Sequence, residues 1–525
     1  MTGVMPPEGP LGQSADVLLG LADALAGRLV SEARSRTSVA LQRALLRAIG
    51  VSGLAPDGRS LAAEIVHRYI SADRHPLRGG IALPFALAAH EYDLEPQQLA
   101  IEVVRGNIDL AAEADLLRSH ARSAPARLLL AAWLASADDR FEANRVARAE
   151  LTSLFGDPVP PCIAVEVRAF DARDAATHAS SLVPSGADLV RVRVPRDGEL
   201  RDDLGTVAAE DEWPVGPDAP PPAGSQRGLA VLRAALDEAG ARAGRYSRLG
   251  IRRVGLAAPE LAVVAGFERV DVVFIDPMDA IVDVGVDPDR ALADHAVAQS
   301  LLRRAGARLV LSAGPLTTPA QPEGPMDVAV AAGRGLALQA LSRAYALRNG
   351  FTAERLELVA CPPFSVTRDA PLQPVVEVGL RSLLFPQHRL VIDEAIGEAV
   401  GAVLPGMLAA WLAGGARVGM VFVPGDPARI VQARDTVRGA FSAAAAFGAA
   451  RPVGEFHGEG LDVARMELGA AIETLREVER VGLASTIGRS VWIGRDGLEP
   501  LGGDDPASAW AWGEETEARE APAAR

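Results

Sequence analysis

Three aspartates follow an apolar, β-branched run in the middle of the chain. Residues 270–286 read VDVVFIDPMDAIVDVGV, so Asp276, Asp279 and Asp283 stand among small apolar residues where the run stops. Carboxyl groups in apolar surroundings have shifted pKa values and are suited to bind cations or to hold protons. This stretch is therefore the first candidate for a site, with Asp276 and Asp279 as candidate cofactor-binding residues.

The pair Asp276-Pro277 also has the composition of a helix start, with Asp as the N-cap and Pro at the first helical position. The same pair recurs at Asp287-Pro288 and Asp426-Pro427, each before a helical pattern. Because the following helix begins at Pro288 with Asp287 as its cap, we expect residues 276–286 to form a loop.

Arginine and serine side chains follow other runs of the same kind. Arg193 and Arg196 lie around the end of DLVRVRV, and Ser312 follows RLVL. Guanidinium groups present paired donors to phosphate or carboxylate groups, so both arginines are candidate cofactor-binding residues, with Ser312 as a further one. The alternative for the arginines is ordinary surface charge, because this chain uses arginine for all its basic residues.

These residues belong to a regular alternation of β-branched runs and amphipathic helices that starts at Cys162, the pattern of parallel strands joined by helices. Eight runs occur: CIAVEVRAF, DLVRVRV, YSRLGI, DVVFI, RLVLSAG, LELVAC, RLVI and VGMVFVPG. Eight parallel strands in a segment of this size favour a (β/α)8 TIM barrel over an open sheet. In such barrels the active site lies at the carboxyl ends of the strands, so we expect the candidate residues to meet at one mouth.

The segments on both sides of the barrel pattern are predicted to be helical. We expect a helical N-terminal region over residues 1–160, the barrel over 161–424, and a helical C-terminal extension with an acidic tail over 425–525. The proline-rich segment 195–224 interrupts the barrel and is long enough for a lid, with disorder as the alternative.

The composition excludes several classes of function. The 525 residues carry a formal net charge of -15, which counts against nucleic-acid binding. All 53 basic residues counted as Lys or Arg are arginines, so the chain cannot itself form a Schiff base with pyridoxal phosphate. Its two distant cysteines and the absence of a signal peptide fit a cytoplasmic location, and its histidines show no metal-binding spacing.

One uncharged segment is a candidate for membrane insertion. Residues 399–416 carry no charge, but Pro405 and several glycines within a span barely long enough to cross a bilayer favour a buried helix. We therefore expect no membrane association.

Several collinear stretches resemble the family of D-lysine 5,6-aminomutase α subunits and, more loosely, related adenosylcobalamin-dependent aminomutases. The similar stretches are SRTSVALQRALLRAIGVSG, RGGIALPFALAAHEYDLEPQQLAIEVVRGNIDL, SGADLVRVRV, GLAVLRAALDEAGARAGRYSRLG and GLAAPELAVVAGFERVDVVFIDPMDAIV. No single stretch is a strong motif, and the resemblance rests on their common order over most of residues 20–400.

The resemblance implies a barrel whose mouth holds pyridoxal phosphate and substrate, facing the adenosyl group of a cobalamin that a separate β subunit mostly carries. The amino group of a small amino acid would be moved by a radical 1,2-shift. The resemblance also implies a partner β subunit that carries the cobalt-ligating D-x-H-x-x-G motif and the Schiff-base lysine. This chain has neither a lysine nor that motif, as an α subunit of the family would.

The same alignment shows departures at cofactor-contacting positions. Val194 and Glu199 stand where the family has an arginine and a serine that grip the phosphate of pyridoxal phosphate, and Val254 replaces another serine. Asp279 stands where the family has a tyrosine that covers the pyridine ring. These departures count against pyridoxal phosphate and keep two alternatives open: a noncatalytic barrel acting as a scaffold or regulatory partner, and a cobalamin-dependent mutase without pyridoxal phosphate.

Overall fold

A closed barrel of eight parallel strands forms the centre of the protein, as predicted. The computed structural model describes residues 11–55, 59–71, 77–116, 120–169, 171–193, 221–252, 256–312, 325–360, 373–392, 416–447, 456–489, 491–502 and 505–513. The strands are β1 Arg36–Ser38, β2 Cys162–Val167, β3 Leu189–Arg193, β4 Arg248–Arg252, β5 Val272–Phe274, β6 Arg308–Leu311, β7 Leu356–Val359, β8 Arg389–Ile392, β9 Val418–Val423 and β10 Leu498–Pro500. Strands β2 to β9 pair in chain order, and β9 closes the barrel against β2.

Helices alternate with the strands and cover the outside of the barrel. Those of the N-terminal region are α1 Gly12–Arg34, α2 Val39–Ala48, α3 Leu61–Ser71, α4 Ala82–Tyr92, α5 Pro96–Arg105, α6 Leu110–Leu116 and α7 His120–Phe155. Within the barrel they are α8 Ala172–Ser185, α9 Gln226–Ala243, α10 Ala258–Phe267, α11 Pro277–Asp279, α12 Pro288–Arg304, α13 Pro325–Arg348 and α14 Gln373–Leu384. After the barrel come α15 Pro427–Phe447, α16 Glu459–Val481, α17 Leu483–Ile487 and α18 Pro506–Ala511.

The alternation of side chains along each strand separates two apolar cores. Residues that point into the barrel form a small cluster, which includes Ala164, Leu189, Val272, Phe274 and Phe422. Their neighbours in sequence point outward and pack under the helices in a much larger core. This period of two explains why the strands read as continuous apolar runs, since a parallel strand of a barrel is buried on both faces.

The N-terminal and C-terminal segments pack against each other as well as against the barrel. Helix α1 lies against both α13 and α16, and β1 pairs antiparallel with β10. Gly333 lets α13 approach α16 closely, because a Cβ there would lie 2.3 Å from the carbonyl oxygen of Glu467. The sequence did not predict the β1–β10 pair, and the division at residues 160 and 424 stays a prediction.

Several sequence features fall outside the described residues. They include most of the proline-rich segment 195–224, almost all of the uncharged segment 399–416 and the acidic tail from residue 514. Among the helices that are described, none combines the length and apolarity needed to cross a bilayer.

A buried group of charges joins the N-terminal region to the barrel. Arg43 and Arg47 on α2 both contact the carboxylate of Glu260 on α10, and Arg43 Nη2 lies 2.6 Å from Glu260 Oε2. The Glu260 side chain is fully buried. Because two guanidinium groups share one carboxylate away from water, its loss would leave two buried charges without this partner.

We predict that Glu260→Ala lowers the free energy of unfolding by about 3–5 kcal/mol, the usual cost of removing one partner from a buried ion pair. The matched control is Glu238→Ala, which removes an exposed partner of Arg242 and should cost at most about 1 kcal/mol. Urea denaturation followed by circular dichroism measures both. Equal losses in the two variants would show that the buried group does not hold α2 to the barrel.

Candidate active site

The stretch that follows β5 is helical, so the expectation of a loop over residues 276–286 was wrong. Asp276 has extended backbone angles and accepts a hydrogen bond from the Met278 backbone N–H at 2.8 Å, which makes it the N-cap of α11. The chain continues as a π-helical turn, Ala280–Val284, and ends at Gly285 with φ +86°. A helix cap at Asp287 therefore did not exclude a short helical turn before it, and π-helical turns are frequent at functional sites.

Asp276 is buried and accepts hydrogen bonds from three elements. Besides Met278, it accepts from the Ser342 hydroxyl on α13 at 2.6 Å and from the Ser312 backbone N–H at 3.1 Å. The side chain is only 3% exposed. The carboxylate is thus fixed by neutral donors at the carboxyl ends of β5 and β6, where barrel active sites lie.

Asp279 lies beside Asp276, and Ser312 bridges the two carboxyl groups. The Ser312 hydroxyl is 2.5 Å from Asp279 Oδ1 and 3.4 Å from Asp276 Oδ2. A hydroxyl has one proton to donate, and the shorter distance places that donation on Asp279. When Asp279 is itself protonated it can donate to Ser312, which then donates to Asp276. We call Asp276, Asp279, Ser312 and Ser342 the mouth cluster.

The mouth cluster holds protons more tightly than free carboxyl groups do. Burial raises the pKa of Asp276 to about 6, although the hydrogen bonds that it accepts from Ser342, Met278 and Ser312 act in the opposite direction. Burial also raises the pKa of Asp279 well above its usual range, and the neighbouring charge of Asp276 raises it further. Two carboxyl groups in one buried site do not both ionise readily, so the pair retains a proton to higher pH than two free carboxyl groups would.

A second layer of polar side chains fixes the position of Ser312. Gln339 donates from Nε2 to the carbonyl oxygens of Ser312 and Val359, the latter at 2.9 Å. Arg381 on α14 donates to Gln339 Oε1 at 2.8 Å and pairs with Glu377. All three side chains are buried, so the mouth cluster is held by a rigid scaffold, as precise binding sites require.

Three of the five predicted site residues come together, namely Asp276, Asp279 and Ser312. Arg193 is the last residue of β3, in register with Arg252 on β4, and Arg252 lowers the pKa of Asp279 by its charge. Arg196 lies outside the described residues, as do Val194, Glu199 and Val254. Asp283 is exposed beyond the mouth cluster.

The sequence interpretation missed a charged pair inside the barrel. Arg191 on β3 lies 2.8 Å from the carboxylate of Glu166 on β2. Its guanidinium carbon is 3.9 Å from the ring centre of Phe422 and 4.8 Å from that of Phe274. Arg191 stands two residues before Arg193, so the period of the strand could have shown that it points inward.

The residues on α13 that support the mouth cluster are less evident in the sequence. Gln339 and Ser342 are polar positions within the mostly apolar LALQALSRAYAL, at a spacing of three residues. Such a pair on one helix face indicates a buried polar contact. The sequence does not show that the contact is with a strand end.

The family comparison identifies the class of protein. Residues 16–357 match the model of the D-lysine 5,6-aminomutase TIM-barrel domain of the alpha subunit. This match covers well over half of the chain, and the chain belongs to that family. The resemblance inferred from the five collinear stretches is therefore confirmed.

Two curated relatives are lysine 5,6-aminomutase alpha subunits. That of Fusobacterium nucleatum is 27% identical over 328 residues, which cover 62% of this chain and 59% of the relative. That of Acetoanaerobium sticklandii is 25% identical over 327 residues, which cover 61% of this chain and 58% of the relative. The matched segment thus spans somewhat less than two thirds of either relative.

Similar solved structures include a dihydropteroate synthase from Yersinia pestis. It has 13% identity and a TM-score of 0.32, and the match covers 55% of this chain and 94% of that structure. A ribulose-1,5-bisphosphate carboxylase/oxygenase from Pyrococcus horikoshii has 12% identity and a TM-score of 0.35, with 63% and 66% covered. At these TM-scores neither structure supports a functional argument.

We predict that Asp279→Asn flattens the dependence of stability on pH between about pH 4 and pH 6. The unfolded carboxyl group titrates near pH 4, whereas the folded pair keeps its protons to higher pH. Stability contributed by this proton is therefore present below pH 4 and is lost as the pH rises through the folded pKa. The measurement is the free energy of unfolding of wild type and variant across this range.

Two further variants control this prediction. Asp289→Asn changes an exposed aspartate and should leave the wild-type slope unchanged. Asp276→Asn should destabilise the protein at every pH in the range, because an amide nitrogen would face donors that now point at a carboxylate. If the free energy of unfolding of Asp279→Asn depended on pH as steeply as that of the wild type, this result would contradict the raised pKa of the pair.

Proposed function

We propose that this chain is the α-subunit-like component of an adenosylcobalamin-dependent amino acid aminomutase that moves an amino group by a radical 1,2-shift. Membership of the lysine 5,6-aminomutase α-subunit family supports the reaction class. The observation that carries the proposal for this chain is the buried Asp276–Asp279 pair at the mouth of the barrel. A rigid, partly protonated carboxyl pair suits a substrate that brings an ammonium group.

Adenosylcobalamin supplies the radical chemistry of such a reaction when it is bound. This chain has no D-x-H-x-x-G motif, so a cobalt ligand of that kind must come from a partner subunit. The proposed partner is a chain that carries this motif together with a lysine.

The four residues of the mouth cluster do not supply a grip for pyridoxal phosphate. Its phosphate is an anion, whereas the buried ionisable groups of the mouth cluster are carboxyl groups. The hydroxyl of Ser312 is already engaged with Asp279, and an aspartate side chain cannot stack on a pyridine ring. This mismatch supports a second candidate function, a cobalamin-dependent mutase without pyridoxal phosphate.

The role proposed for this chain is to bind the substrate ammonium and to orient it. The carboxyl pair holds a proton until the substrate binds. Asp279 would receive the ammonium, since it is 7% exposed against 3% for Asp276. A cation beside the pair favours its fully ionised form, so the shared proton leaves as the substrate binds. The Ser312 hydroxyl, which donates to Asp279, then keeps this carboxylate in place.

Co-expression of this chain with the candidate partner tests the assembly. We expect a stable complex that takes up adenosylcobalamin and shows its absorbance after gel filtration. A complex that excludes adenosylcobalamin would contradict the proposal. Adding pyridoxal phosphate then separates the two candidate functions, because an imine absorbance band supports the aminomutase and its absence supports the mutase without pyridoxal phosphate.

In that complex, Asp279→Asn should weaken binding of the cationic probe D-lysine by about 10-fold or more, the value of a hydrogen bond to a charged group. Titration calorimetry in buffers of different ionisation enthalpy should detect proton release with the wild-type complex and none with the variant. Asp289→Asn is again the control. If Asp279→Asn still released a proton on binding D-lysine, this result would show that the Asp276–Asp279 pair does not take part in binding.

A further inference from the structure

A cavity of about 300 Å³ lies at the opposite end of the barrel from the mouth cluster. Its wall includes Arg248 and Arg308, the first residues of β4 and β6, and Asp271, which directly precedes β5. The long helix α7 completes it with Arg145 and Arg148. We call this the floor cavity, since it opens at the amino ends of the strands.

The floor cavity is lined by five guanidinium groups and two carboxylates. The arginines are Arg145, Arg148, Arg248, Arg308 and Arg355, and the carboxylates are Asp157 and Asp271. Such an excess of positive charge is unexpected in a chain whose formal net charge is -15. Burial lowers the pKa of Arg308, the carboxylate of Glu357 acts in the opposite direction, and the charges of Arg248 and Arg389 lower the pKa further.

Both carboxylates of the floor cavity are already engaged. Asp271 lies 2.8 Å from Arg148 Nε and 3.1 Å from Arg233 Nη1, and it also accepts from Tyr246. Asp157 lies 2.6 Å from Arg248 Nη2. Arg308 is paired with the buried carboxylate of Glu357, which does not line the cavity, whereas Arg355 has no carboxylate partner among the described residues.

Arg308 and Arg355 retain N–H donors that no described residue accepts from. Within the described part of the chain, Arg308 donates only from Nη1, to the Glu354 carbonyl at 3.0 Å and to Glu357 at 3.3 Å. Arg355 is exposed, and no hydrogen bond or ion pair joins its side chain to the described residues. Both residues line the same cavity, and guanidinium groups with unused N–H donors are suited to bind a phosphate group.

A glycine keeps the cavity open beside the arginines of α7. Gly306 has φ +71°, and a Cβ there would lie 3.2 Å from Arg148 Nη1 and 3.3 Å from Arg145 Cγ. A larger residue would crowd these side chains. The close approach brings their charges to the rim of the cavity.

We propose that the floor cavity is a binding site for a phosphate group, either free inorganic phosphate or the phosphate of a small monoester. The volume lies at the lower limit of small-ligand sites and so excludes a large ligand. The site is separate from the mouth cluster and does not depend on the proposed function. The competing interpretation is that the arginines only brace the barrel floor, and Arg355 distinguishes the two because it braces no described residue.

Titration calorimetry on the full chain tests the proposal, with sodium phosphate and glycerol 3-phosphate as probes. The buffer is free of phosphate and sulfate and has constant ionic strength, because exposed charges are screened by salt. We expect saturable 1:1 binding of at least one probe. Tighter binding of glycerol 3-phosphate would identify a monoester site, and equal or weaker binding a site for free phosphate.

The variants Arg355→Gln and Arg308→Gln should each weaken this binding about 10-fold, since each removes a charged donor. Arg355→Gln should leave the unfolding midpoint unchanged, so it remains informative if Arg308→Gln folds poorly. The control is Arg242→Gln, an exposed arginine on α9. Absence of saturable binding, or the same affinity in Arg355→Gln as in wild type, would overturn the proposal.

Discussion

The cost of burying charge governs this structure more than any single apolar contact. A barrel interior and its helix contacts exclude water, and a charge placed there is tolerated only if it is paired. Glu166 with Arg191 inside the barrel, Glu260 with Arg43 and Arg47 under the N-terminal region, and Asp271 with Arg148 and Arg233 at the floor all follow this rule. Because the chain contains no lysine, every such pair uses a guanidinium group, whose several donors can serve two acceptors at once.

Asp276 and Asp279 are the contrasting case. Their nearest partners are serine hydroxyls and backbone N–H groups, which support a carboxylate without neutralising it. Burial therefore raises both pKa values. As a consequence, the pair reduces its own negative charge by retaining a proton. A buried acid held by dipoles costs stability, and such local costs are characteristic of sites that serve binding or proton transfer. The rigid support from Gln339 and Arg381 fits that interpretation.

Parts of the structure that depend on interactions between residues close in sequence could be predicted, whereas most parts that depend on distant residues could not. The eight barrel strands and helices such as Pro288–Arg304 could be predicted because their signals are local: β-branched runs, Asp-Pro caps and helical periodicity. The meeting of Asp276 with Ser312 could be predicted because barrel topology brings strand ends together. Ser342 and Gln339 could not, since their partners depend on how α13 is rotated against β6. The β1–β10 pair joins segments more than 450 residues apart, and three-residue strands leave almost no periodic signal.

The helical turn at residues 277–284 links the fold to the chemistry. As a loop, this stretch would have left Asp276 and Asp279 free to move apart. As a capped helical turn, it directs both carboxyl groups toward Ser312, and Asp276 also accepts a hydrogen bond from the first N–H group of α11, that of Met278. Asp276 thus has a structural and a chemical role at once, whereas Asp279 makes no capping contact. We therefore expect Asp279 to be the position of the pair at which a substitution can alter the proposed ligand binding with the smaller effect on the fold.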